Sequence, residues 1–121
     1  AFQSDFEATL QAVARRGLAA PDARTHERLC QMMREVGAEA AIRQTRAIQH
    51  RADHRARLAS LSLPVGVLCG RLDRITPPAL SEALAECVGA ATLQCVEDAG
   101  HMLPLSHPEV VAQAIRHAMS R

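Results

Sequence analysis

The stretch PVGVLCGRLDRITPP, residues 64–78, decides how the rest of the chain is read. Its first half is a short apolar run bounded by Pro64 and Gly70, the pattern of a strand buried on both faces. Asp73, Thr76 and two prolines then follow within eight residues. An acid just past the end of an apolar strand has two readings. Asp favours turns because its side chain bonds nearby backbone N–H groups. Alternatively, Asp73 is half of a catalytic arrangement, and a base must be found elsewhere in the chain.

Working toward the carboxyl terminus, PPALSEALAECVG reads as a helix with Leu80, Ala83, Leu84, Cys87 and Val88 on one face. Proline at its start and Gly89 past its end fit the asymmetry of helix termini. ATLQCVE, residues 91–97, is a second strand. HPEVVAQAIRHAMS, residues 107–120, is a final helix with Val111, Ala114, Ile115 and Ala118 inward. Two short strands joined by one helix form a right-handed crossover and lie parallel in one sheet. In such sheets the strand carboxyl ends share one edge, and ligands bind there. Asp73 follows the first strand; EDAGHMLPLSHPE, residues 97–109, follows the second and carries His101. The crossover brings the two residues to the same edge, and an Asp orienting a His is two-thirds of a nucleophilic triad. His107, next to Pro108, reads as a helix-start residue.

Working toward the amino terminus, residues 1 to about 57 read as helices only. Phe6, Leu10, Val13 and Ala14 recur at helical spacing up to Gly17. In PDARTHERLCQMMREVG, Thr25 reads as an N-cap and Leu29, Met32, Met33 and Val36 as one apolar face. AEAAIRQTRAIQHR puts Ala38, Ala41, Ile42, Thr45 and Ile48 on a stripe. In HRADH, His50 and His54 stand four apart around Asp53, the spacing of a helical metal pair, but no third ligand of matching context is evident. The expectation is a solvated junction, with neither metal nor cofactor.

The 121-residue length allows at most one domain, and the apolar share of 48% argues against disorder. A formal net charge of +1, with all fourteen basic residues scattered arginines, gives no footprint for nucleic acid or an anionic membrane. Phe2 and Phe6 are the only aromatics, too few for a stacking platform. Cys30, Cys69, Cys87 and Cys95 lack paired metal-site spacing and read as free thiols of a reducing, cytoplasmic setting. AFQSDFEATL has no leader pattern, and no apolar run reaches membrane-span length. The missing initial Met suggests a chain cut from something longer.

At these residues the sequence resembles the carboxyl-terminal part of an α/β-hydrolase. GRLDRITP resembles the family's acid turn, with Asp73 at the acid position, and DAGHMLPLSHPEVV its histidine loop, with His101 at the base position. The resemblance implies an α/β fold: a helical lid-like segment over residues 1–59, then β-α-β-α with parallel strands over residues 60–121. Ser106 stands where the family often carries Glu. The nucleophile elbow Gly-x-Ser-x-Gly is absent from the chain, and the oxyanion-hole segment is missing with it. The implied activity is hydrolysis of a small ester or related acyl compound, with an apolar pocket beneath the lid; Met102, which follows His101, reads either as lining a substrate pocket or as core packing. Carbon–carbon and carbon–halogen hydrolysis use the same acid and base and stay open. So does a non-catalytic module that self-associates or binds a partner. Either way the open sheet edge calls for cover, by a missing amino-terminal half or by copies of the chain.

Overall fold

The computed structural model describes residues 2–20, 23–89 and 91–120. Among them the chain forms two compact units, one of residues 2–15 and 23–53, the other of residues 16–20, 54–89 and 91–120. Residues 16–20, which the sequence groups with the helical segment, thus belong with the strands.

The first unit holds most of α1 (Phe2–Gly17), with α2 (Ala23–Val36) and α3 (Ala38–Gln49). Its core is narrow. Leu10, Ala14, Leu29 and Cys30 are buried, whereas Met32, Val36 and Ile48, expected on apolar faces, are exposed. Three short helices offer each other only one stripe apiece, so the flanks of each apolar face stay uncovered. Arg34 bridges α1 and α2, 2.7 Å from Glu7 Oε1 and 2.8 Å from Glu27 Oε1. Gly37 turns the chain from α2 into α3 at φ 80°, a conformation that suits glycine. Thr25 lies inside α2 and is not its N-cap, because the helix starts two residues earlier. A groove of about 410 Å³ runs along Phe6, Thr9, Ala38, Ala41, Ile42 and Thr45.

The second unit contains α4 (Arg55–Leu58), β1 (Gly66–Gly70), α5 (Pro78–Val88), β2 (Thr92–Val96), α6 (Leu103–Ser106) and α7 (Pro108–Met119). β1 and β2 pair in parallel, Gly66 opposite Thr92 and Cys69 opposite Cys95, as the crossover requires. The four cysteines are free, and Cys30 and Cys69 are buried. Pro78 opens α5, and Gly89 closes it by donating to the Ala85 and Glu86 carbonyls. The apolar residues of α5 are covered unequally. Val88 is buried and Ser81, Ala85 and Cys87 half-buried, while Leu80 is 59% exposed and Ala83 and Leu84 are exposed too. In α7, Val111, Ala114 and Ala118 are half-buried, but Ile115 is 55% exposed. β1 is buried at Val67, Cys69 and Gly70 but not on both faces throughout, since Leu68 is only half-buried. With two strands in the sheet, too little structure is present to cover both sides.

Candidate active site at the sheet edge

The turn after β1 is built by local chemistry and then stitched to the next loop. Asp73 N–H donates to the Gly70 carbonyl at 3.2 Å, while Arg71 and Leu72 donate across to Val96 and Ala99 at 2.8 and 2.9 Å. Gly70 sits so tightly that a Cβ there would lie 2.6 Å from the Ala99 carbonyl carbon. Only glycine allows the strand end and the second loop to touch in this way. Arg71 and Glu97, one just past each strand, pair at 3.1 Å.

Asp73 is 8% exposed, and its two carboxylate oxygens divide the work. Oδ1 accepts the backbone N–H groups of Ile75 at 2.8 Å and Thr76 at 2.9 Å. Oδ2 accepts the Thr76 hydroxyl at 2.9 Å and faces His101 Nδ1 at 2.8 Å. Oδ1 thus does the turn-building work the local reading expects, while Oδ2 is the oxygen that meets His101. Burial pushes this carboxyl up, but the bonds from His101, the Thr76 and Ile75 backbone and the Thr76 hydroxyl outweigh it. Its pKa lies below the ordinary carboxylate value.

His101 is held by a segment far away in sequence. The Gly17 carbonyl accepts the N–H groups of His101 at 2.8 Å and Met102 at 3.2 Å. Beside it, Arg16 Nε donates to the Arg74 carbonyl of the acid turn at 2.9 Å. Residues 16–20 thus tie down both loops, a role their sequence gives no sign of. Gly100 makes the approach possible: a Cβ there would stand 2.7 Å from the Gly17 oxygen and 2.8 Å from the Ala19 nitrogen. The far end of the loop is closed by His107, which does more than start α7. Its Nε2 lies 3.2 Å from Asp98 Oδ1 and its Nδ1 2.8 Å from Ser106 Oγ.

An ionised carboxylate only accepts hydrogen bonds, so the proton between Asp73 and His101 sits on Nδ1. In the neutral imidazole Nε2 keeps its lone pair, on a side chain that is 35% exposed. The pair can take up a proton at Nε2, with the resulting imidazolium stabilised by Asp73. Met102 is half-buried and lies against Gly17. His50 and His54 do not share a helix, because α3 ends at Gln49 and His54 caps α4. Among the described residues no group of three or more His, Cys, Asp or Glu is placed to hold a metal ion. No described helix is long and apolar enough to cross a membrane. The groove of the helical unit is lined by neither Asp73 nor His101.

A parallel strand pair with an acid and a histidine meeting at its carboxyl edge is the arrangement of the α/β-hydrolases. Residues 2–114 match the alpha/beta hydrolase family, and the chain belongs to it. An esterase from Exiguobacterium antarcticum superimposes with a TM-score of 0.85 at 16% identity, over 99% of this chain and 45% of that one. A thermophilic esterase from Thermogutta terrifontis gives 0.84 at 28% identity, over 93% and 43%. Est816, described as an N-acyl homoserine lactone degrading enzyme, gives 0.67 at 23% identity, over 96% and 48%. The chain therefore spans less than half the length of these solved structures and matches a carboxyl-terminal portion of the fold. No curated protein matches it.

Proposed function

We propose that the chain supplies the acid and the base of a carboxylic-ester hydrolase, Asp73 and His101, within a larger assembly that provides the nucleophile. The observation that carries this reading is the 2.8 Å bond from His101 Nδ1 to a buried, ionised Asp73 at the sheet's carboxyl edge. The esterase likeness at 28% identity supports the substrate class. The absence of Gly-x-Ser-x-Gly, together with the short span relative to those esterases, supports a nucleophile outside these residues.

In this mechanism a serine hydroxyl attacks the ester carbonyl while His101 Nε2 takes its proton. Asp73 holds Nδ1–H and stabilises the imidazolium. The proton then passes to the leaving alcohol, and His101 activates water against the acyl-enzyme. The helical unit, without residues 16–20, serves as the lid-like segment, and Met102, next to the base, lines the acyl pocket. The exposed Leu80, Leu84, Leu93 and Ile115 support a second body of apolar chemistry over this unit.

The test is hydrolysis of a short-chain chromogenic ester by the protein purified from its source, against the His101→Ala form. We expect a loss of about 10³-fold or more in kcat. Ester hydrolysis that survives His101→Ala undiminished overturns the assignment.

A further inference from the structure

Thr76 was not among the residues the sequence singled out, yet it is the only side chain besides His101 that bonds Asp73 Oδ2 among the described contacts. Its hydroxyl oxygen lies 2.9 Å from Oδ2 and 3.1 Å from His101 Nδ1, closing a triangle with the 2.8 Å Asp73–His101 bond. The direction of each bond follows from the donor inventory. Oδ2 only accepts and Nδ1 carries the shared proton, so the threonine proton has one place to go, Oδ2. The Thr76 oxygen is then left to accept a share of Nδ1–H. Both carboxylate oxygens are consequently filled, Oδ1 by two backbone donors of the same turn and Oδ2 by Thr76 and His101. A carboxylate bound on both oxygens cannot rotate about its terminal torsion, which is otherwise soft.

We propose that Thr76 is a positioning residue of the acid–base pair. Its hydroxyl is a second donor at Oδ2 beside His101 and draws off part of the negative charge there, setting how strongly that oxygen pulls on Nδ1–H. The assignment rests on the reading of Asp73 and His101 as acid and base, but it is testable without turnover. The β-branched carbon also suits the site: Thr76 precedes Pro77, where extended backbone is favoured, and the restricted side chain holds its hydroxyl toward Oδ2.

The experiment is NMR on the protein as its source makes it, comparing wild type, Thr76→Val and Thr76→Ser, with circular dichroism as the check of folding. Two signals are followed: the Asp73 ¹³Cγ titration and the His101 Nδ1–H resonance. Thr76→Val, near in size but without the hydroxyl, is expected to move the Asp73 midpoint upward and shift the Nδ1–H resonance. Thr76→Ser is expected to keep both near wild type. Unchanged signals in folded Thr76→Val overturn the proposal. So does a Thr76→Ser form that behaves like Thr76→Val, because the methyl group would then be what matters. If Thr76→Val does not fold, the serine form decides, with loss of the wild-type signals counting against the hydroxyl. An enzyme without ester hydrolysis in which these shifts still follow the hydroxyl would sink the functional reading and leave this one standing.

Discussion

The acid turn and the histidine loop sit at the same sheet edge, 28 residues apart, but different physics holds them. The acid turn is mostly self-made. Asp73 bonds the N–H groups two and three residues ahead, and Pro77 and Pro78 carry the chain into α5. The histidine loop depends on a stranger: the Gly17 carbonyl, more than eighty residues upstream, receives the His101 and Met102 N–H groups. A turn closed by its own side chain survives small changes around it. A loop closed by a distant carbonyl is only as firm as the approach that carbonyl makes.

The largest expected effect comes from spoiling that approach. Gly100→Ala places a methyl group within van der Waals overlap of Gly17 and Ala19, where backbone must give way. A cost of about 3 kcal/mol is expected, read as a lowered denaturant midpoint with the Met102 amide losing its hydrogen-exchange protection. Gly70→Ala breaks the other seam, between strand end and loop, and a cost of the same order is expected. An exchange pattern left as in wild type by Gly100→Ala would show that Gly17 is no anchor.

A middle-sized effect belongs to the acid turn. Because Asp73 is held below its ordinary carboxylate value, the unfolded chain binds its proton first as pH falls. Its contribution is therefore full above the unfolded value near 3.8 and is lost as pH drops through the lower folded value. Asp73→Asn should flatten the stability curve in that acid window, as measured by urea titration across pH. The smallest effect is expected from Arg16→Ala, which removes one exposed bond to the Arg74 carbonyl. About 0.5 kcal/mol is a fair expectation, with faster exchange confined to the acid turn.

The same contrast explains what the sequence made legible. The strand, the acid turn, the caps of α5 and the position of His101 are written in local signals, Pro64, Gly70, Pro78 and Gly89, and in the rule that a crossover joins parallel strands. Which apolar side chains of α5 the two strands cover is not legible, because hydrophobicity marks which residues want cover, not which ones get it. Ile115 on α7 and Val36 on α2 likewise stay exposed for want of a neighbour on that flank. Residues 16–20 and Thr76 were invisible for another reason: a backbone carbonyl has no letter, and a threonine beside a proline reads as turn chemistry. HRADH shows the limit of spacing alone: His50 and His54 stand four apart, but the helix stops at Gln49 and the exposed segment is a junction.

The most direct test of the central claim is labelling of the protein, as its source makes it, with a fluorophosphonate, followed by mapping of the modified serine. A label on a serine outside these 121 residues, lost in the His101→Ala form, is the predicted result. A label on a serine of this chain, or labelling indifferent to His101, would contradict it.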